Sequence, residues 1–296
     1  MRIISLLASG TEIVCALGMG ESLVGRSHEC DNPSWVRSLP ACSEPAFDIN
    51  VLSREIDAEV NRRIRAGVPL YTVHNELIRS LKPDLIITQA HCEVCAVTPE
   101  NVQQTPAASV LALTAGSLAG VFDGIARIAQ ALDKEEDGRA LIAQEKRRLE
   151  AVRARAAGRR RPTVVMLEWL EPLFAMGNWG PELVEIANGD LRIGKAGEYS
   201  SAIPFSQLQE ADAEFIIVAP CGFDLERTLR ERHALEAHPG WKSLRAKVAY
   251  ADGNLFFNRS GMTVSQTAEI IAEILHGETF ETPTQRISWV WAREVH

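Results

Sequence analysis

The stretch "QAHCEVCAV" (residues 89–97) places His91, Cys92, Glu93 and Cys95 within five positions, directly after the apolar run "DLIIT". Imidazole, thiolate and carboxylate in one loop are metal or thiol chemistry. Cys92-x-x-Cys95 has the spacing of half a zinc site. A second group, His28, Glu29, Cys30 and Asp31, follows the run "SLVG", and Cys221 follows "EFIIV". Four of the six cysteines (Cys30, Cys92, Cys95 and Cys221) thus fall just past apolar runs. Cys15, inside a helical pattern, and Cys42, between prolines, read as structural. Three chemistries are open. Cys92 and Cys95, completed by Cys221 and by Cys30 or His28, would hold zinc or an iron–sulfur cluster. Cys92 and Cys95 would act as a redox pair, although the next helix starts at Thr98 with Pro99 first, leaving Cys95 outside it. A nucleophilic hydrolase is disfavoured: G-x-S-x-G is absent, and His91 beside Cys92 is adjacency rather than catalytic geometry.

Beyond metal, the strand ends carry a set suited to a larger ligand. In open parallel α/β sheets, ligands bind past the carboxyl ends of the strands. Ser9 and Thr11 follow the first apolar run, Gln89 the third, and Glu168 and Trp169 close "TVVMLEW". Trp179 lies in the next loop, Phe223 follows Cys221, and Asn254, Phe256, Asn258 and Arg259 follow the last run. Trp169, Trp179, Phe223 and Phe256 offer apolar faces for a ring system. Asn254, Asn258, Arg259 and Gln89 suit peripheral amides or carboxylates. His28, His91 or a cysteine thiolate suits the axial position of a central metal. Glu29, Asp31, Glu93 and Glu168 favour a cationic centre over a phosphate. If the parts of the chain face one another, His28, Cys92, Cys95 and Cys221 line one cleft.

The elements that must position these residues follow a repeating pattern. "RIISLL" reads as a buried strand, and Ser9-Gly10-Thr11-Glu12 as a capping box on a helix closed by Gly18. Amphipathic helices are expected over 53–66 and 73–81, and strands over 84–88 and 109–113. Residues 117–157 hold a helical period without a proline. One helix there would be about 60 Å long at ~1.5 Å per residue, with Gly138 as a bend. The basic run 159–161 suits its carboxyl end. Strand "TVVMLEW", helix "PELVEIAN" and strand "KVAYAD" follow, then a helix over 263–276. Residues 77–95 and 205–224 are a near-repeat of helix, apolar strand and Cys-bearing loop. Strands alternating with helices give an α/β fold of two Rossmann-like lobes with parallel sheets. The expected parts are a lobe over 1–115, a long linking helix over 116–160, and a second lobe over 161–296. The tail, 278–296, reads as an extended strip packed on that lobe.

The chain has 296 residues, 46% apolar and 24% charged, with a formal net charge of −8. That is ample for large cores and opposes nucleic-acid or anionic-membrane binding. No run approaches the roughly 20 apolar residues of a membrane span. The N-terminal run is short and interrupted by Glu12, unlike a secretory signal. The location expected from the sequence as it stands is cytoplasmic, or periplasmic if an export signal has been removed.

These features resemble the periplasmic vitamin B12-binding protein family, the cobalamin and iron-siderophore class of ABC-transporter substrate-binding proteins. The resemblance rests on "RIISLLASGTEIVCALGMGESLVGRSHECDNP", "LKPDLIIT", the helical stretch 117–157 and "DGNLFFNRSG", and spans residues 2 to about 276. It implies the class III substrate-binding fold, two α/β lobes joined by a long rigid helix, as in helical-backbone metal receptors. It also implies a non-enzymatic binding protein whose small-molecule ligand is cobalamin or a related corrinoid, and an ABC-transporter permease as partner. "HECD", "CEVCAV" and "PCGFD" mark a cysteine-rich branch. For that branch a cytoplasmic metal or iron–sulfur protein is the alternative reading.

Overall fold

A computed structural model describes residues 1–90, 97–99, 102, 108–277 and 287–295. His91, Cys92, Glu93 and Cys95 lie outside the described residues. By internal contacts the chain forms two compact units. One comprises Met1–Ala115 and Ala119–Ala143; the other comprises Gly116–Leu118 and Gln144–His296.

In the first unit the order is β1 (Ile3–Ser5), α1 (Ala8–Ala16), β2 (Leu23–Arg26), β3 (Ser43–Pro45), α2 (Ser53–Ala66), β4 (Tyr71–Val73), α3 (Asn75–Leu81), β5 (Leu85–Gln89) and β6 (Ser109–Leu113). Strands β2-β1-β5-β6 form a fully parallel sheet, with Ile3 opposite Leu85 and Gln89 opposite Leu113. β1 and β5 are buried at every position, as central strands covered on both faces must be. Ile4, Leu6, Ile78, Ile86 and Cys42 pack together on one side. β3 and β4 form a separate hairpin.

The expected capping box is a misreading. α1 begins at Ala8, its N-cap is Leu7, and no side chain caps it. Ser9 and Glu12 lie inside the helix and are buried. The cause is the short connection: Leu6 still donates to Ile87 in the sheet while Thr11 already donates to Leu7. Gly10 makes this fit, because a Cβ there would sit 2.9 Å from the Ile87 side chain. The expected end at Gly18 is found, with φ of 75°.

The single helix expected over 117–157 is two: α4 (Leu118–Ala131) and α5 (Glu135–Ala156). Asp133 adopts φ of 54°, and the Lys134 amide closes back on the Ala129 carbonyl at 2.8 Å. Gly138 is not a bend. A Cβ there would lie 2.4 Å from the Ala129 Cβ, so it lets α5 approach α4 closely. The Glu135-Glu136-Asp137 run opening α5 is the signal of a helix start that the unbroken apolar period hid.

The second unit continues with β7 (Thr163–Trp169), β8 (Leu173–Ala175), α6 (Gly180–Ile186), β9 (Asp190–Leu191), β10 (Ser201–Ile203), α7 (Phe205–Glu210), β11 (Phe215–Val218), α8 (Leu225–Glu231), α9 (His233–Glu236), β12 (Lys247–Ala251), α10 (Val264–His276) and β13 (Trp289–Trp291). Its sheet runs β10-β8-β7-β11-β12-β13, with β9 beside the start of β7. β7, β11 and β12 are parallel; β8, β10 and β13 add antiparallel edges. The helix and strand of the near-repeat are found: α3–β5 and α7–β11 each place the new strand beside the first strand of its unit, while the first Cys-bearing loop lies outside the described residues. The expected strip in the tail is β13, an edge strand paired to β12.

Candidate ligand-binding site

In the second unit three strand ends meet. β7 closes on Glu168 and Trp169, both half-buried. After β11 the chain turns through Pro220-Cys221-Gly222-Phe223, where the Cys221 amide donates to the Glu168 carbonyl at 2.9 Å and Gly222 takes φ of 75°. That turn drives Phe223 inward and leaves Cys221 partly exposed. The Trp169 and Phe223 rings lie 5.1 Å apart at 56°. The Arg227 guanidinium carbon stands 3.9 Å from the Phe223 centroid, a cation over an aromatic face. Glu231 accepts from Arg227 Nε at 3.3 Å. α8 places Arg227, its amide capped by the Asp224 carboxylate at 2.7 Å.

The third strand end is the π-helical turn Gly253–Phe257 after β12. Asp252 caps it by accepting from the Leu255 amide at 2.7 Å. Burial pushes the Asp252 carboxyl above its ordinary value. The Asn254 amide donates to the Phe223 carbonyl at 2.9 Å, tying this turn to the previous one. Only glycine fits at 253, since a Cβ would lie 2.0 Å from the Pro220 carbonyl oxygen. Asn258 donates to the Ala219 and Gly253 carbonyls at 3.1 and 2.8 Å. Arg259 donates to the Asn254 carbonyl and to its side-chain oxygen at 2.9 and 3.2 Å.

The expected residues of this unit therefore divide. Glu168, Trp169, Cys221, Phe223 and Asn254 form one contiguous strand-end face. Asn258, Arg259 and Phe256 brace it from beneath, Arg259 being 4% exposed and Phe256 8%. Trp179 sits at the start of α6, buried. The indole N–H groups of Trp169 and Trp179 are buried without a hydrogen-bond partner among the described residues. Arg227 was missed by the sequence reading. Its signal was the i, i+4 spacing from Phe223 at a helix start.

In the first unit the strand-end residues turn inward. Ser9, Thr11 and Gln89 are all buried. Thr11 donates to the Cys30 sulfur at 3.0 Å, Ser27 Oγ lies 3.4 Å from it, and the thiol faces the Ser5 carbonyl at 3.6 Å. Cys30, 1% exposed, is a core thiol in a polar cradle. His28 Nδ1 is 3.1 Å from Ser43 Oγ, and its Nε2 is buried 3.5 Å from Glu29. Asp31 pairs with Arg37 at 3.6 Å. Burial pushes the Cys15 and Cys42 thiols up to about 11, so both stay protonated and inert near neutrality, as a structural role requires. Among the described residues no group of three or more His, Cys, Asp or Glu is gathered to hold a metal ion. Cys92 and Cys95, on which the metal reading turned, are outside those residues.

A mixed α/β unit whose ligand-grade residues gather at strand ends is what a binding protein needs, and a family comparison decides its kind. The periplasmic binding protein family model matches residues 3–249. The chain belongs to that family. This periplasmic binding protein is 24% identical over 292 residues to an ABC transporter substrate-binding lipoprotein of Bacillus subtilis, covering 95% of this chain and 81% of the relative. Two solved structures share its fold. A periplasmic heme-binding protein of Pseudomonas aeruginosa is 18% identical with a TM-score of 0.69, covering 94% of each chain. The periplasmic vitamin B12-binding protein of Vibrio cholerae is 18% identical with a TM-score of 0.63, covering 92% of this chain and 94% of the other. As a periplasmic binding protein, the chain is a non-enzymatic receptor that takes a small ligand and works with a transporter permease. No helix among the described residues is long and apolar enough to cross a membrane. The family match ends within β12, so the π-turn, α10 and β13 lie beyond it.

Proposed function

We propose that this receptor binds a flat, metal-centred macrocycle of the cobalamin type and delivers it to an ABC transporter. The observation that carries the reading is the Trp169–Phe223 aromatic pair at the ends of β7 and β11, with Asn254 beside it. Aromatic faces in such a pair add roughly 0.5–1.5 kcal/mol beyond their buried area to a stacked ring. Asn254 suits the side-chain amides on the rim of a corrin. Cys221, partly exposed in the same face, is the described thiol best placed for an axial metal position. The lipoprotein relative supports a place of work outside the cytoplasmic membrane.

Heme is the second reading, and Arg227 favours it: a guanidinium over Phe223 suits the carboxylates of a porphyrin. The zinc or iron–sulfur reading rests on Cys92 and Cys95. An anaerobic titration with hydroxocobalamin and with hemin, followed by visible spectroscopy, separates the three. Saturable binding of hydroxocobalamin with a shifted cobalt band is expected. Preference for hemin would replace the corrinoid by a porphyrin. Binding of neither, with iron or zinc in the purified protein, would reject the macrocycle.

A further inference from the structure

The carboxyl-terminal strand closes a circuit around the ligand face. β13 pairs antiparallel with β12, Trp289 opposite Ala251 and Trp291 opposite Ala249. One residue further on, the Ser288 carbonyl accepts from the Asp252 amide at 2.8 Å. Asp252 is the residue whose carboxylate caps the π-turn through Leu255. That turn carries Asn254, whose own amide holds the Phe223 carbonyl. The far side of the turn is anchored to α10, where Thr267 donates to the Phe256 carbonyl at 2.8 Å. α10 in turn accepts the tail: the Trp289 indole donates to Glu273 at 3.1 Å. Trp289 and Ser288 are each 2% exposed, so the strand is a buried part of the unit.

We propose that the tail strand is a positioning element of the ligand site. It fixes Asp252, and through Asp252 the π-turn, so that Asn254 and Phe223 hold one geometry. A π-turn closes its hydrogen bonds one residue further along the chain than an α-helix and is a rare conformation. It persists only where its surroundings define it. Here they do so through Ser288, Thr267 and Arg259, and the tail supplies the first of these. The ligand arm of the test rests on the macrocycle reading above; the exchange arm does not.

The experiment is native-state amide hydrogen exchange on the full chain, on Trp289→Ala, on Trp289→Phe and on a chain ended after Gly277. Trp289→Ala is expected to speed exchange at Asn254 and Leu255 at least tenfold. The Ala219 amide, bonded to Leu167 within the sheet, should keep its protection and report an intact fold. Trp289→Phe, which keeps an aromatic ring against β12, should restore most of the protection. Loss of protection only at Asp252, with Asn254 and Leu255 unchanged, would reduce the tail to packing and overturn the proposal. If the shortened chain does not fold, the two point variants decide. Hydroxocobalamin titration of the same proteins adds the second arm. Wild-type binding that weakens at least fivefold in Trp289→Ala supports the positioning role, and unchanged affinity overturns it. Failure of the wild type to bind would count against the macrocycle reading, and the exchange result would still judge the tail.

Discussion

Trp169 is half-buried, lies against Phe223, and keeps its indole N–H out of water without a partner among the described residues. An unpaired buried donor costs free energy comparable to a lost hydrogen bond. At the strand-end face a bound ligand can supply the missing acceptor. Trp169→Ala is therefore expected to weaken the ligand about 30-fold, the roughly 2 kcal/mol typical of an aromatic anchor. Its urea midpoint should move little, because the ring is not enclosed. Isothermal titration and urea unfolding of the same protein check both halves. A variant that binds within twofold of wild type would remove Trp169 from the site. Cys30 shows the opposite case at the same scale. A sulfur accepting from Thr11 and enclosed by Ser27 and Ser5 is a satisfied core group.

At the scale of elements, α10 begins against a buried carboxylate. Glu145 on α5 accepts from the Ser265 amide at 3.3 Å, while Arg148 beside it is held by Glu269 at 2.9 Å. Burial pushes the Glu145 carboxyl above the ordinary glutamate value; Ser265 and Arg148 pull it partly back. A raised folded value means the folded chain holds the proton more tightly than the unfolded chain. The stability this group contributes is thus full in acid, below the unfolded value, and is lost as pH rises through the folded value. Glu145→Gln keeps an acceptor for Ser265 and removes the titration. Relative to wild type, the variant should gain stability as pH rises from below the ordinary glutamate value through neutrality. Urea midpoints at matched pH measure this, and a constant difference across the range would reject it.

The same scale shows what was legible in the sequence. β1, β5, β7 and β11 could be read because continuous apolar runs between turn residues have few other uses in a protein of this size. The break at Asp133 was marked only by the acidic run Glu135-Glu136-Asp137, because Asp, Lys and Glu all tolerate a helix and only the folded chain shows Asp133 in the left-handed region. The capping box failed because a Ser-x-x-Glu spacing is equally compatible with the interior of a first turn. Strand-end position brought Trp169, Cys221, Phe223 and Asn254 to one edge, since sheet topology decides which loops share it. It did not show that Arg259, Thr11 and Cys30 are buried: a residue type reveals what a group can bond, not which way it faces. For those three the partners came from within the fold.

For the whole molecule, a chain of two compact units makes stability a property of each unit as well as of the chain. A ligand that binds only folded protein adds RT ln(1 + [L]/Kd), about 2.7 kcal/mol at a hundredfold excess over Kd. For units of 150–250 residues each kcal/mol raises the melting midpoint by roughly 2–4 °C. Hydroxocobalamin at that excess should then raise the calorimetric midpoint by about 5–10 °C. Because Trp169, Phe223 and Asn254 all belong to the second unit, the transition that responds must include the unfolding of that unit. Trp169→Ala at the same ligand concentration is about 30-fold weaker by the residue-scale argument. Its excess falls to about threefold, and the expected shift shrinks to roughly 2–3 °C. A full shift retained in the variant would mean that the ligand sits elsewhere, and absence of any shift in the wild type would mean that this macrocycle is not what the receptor carries.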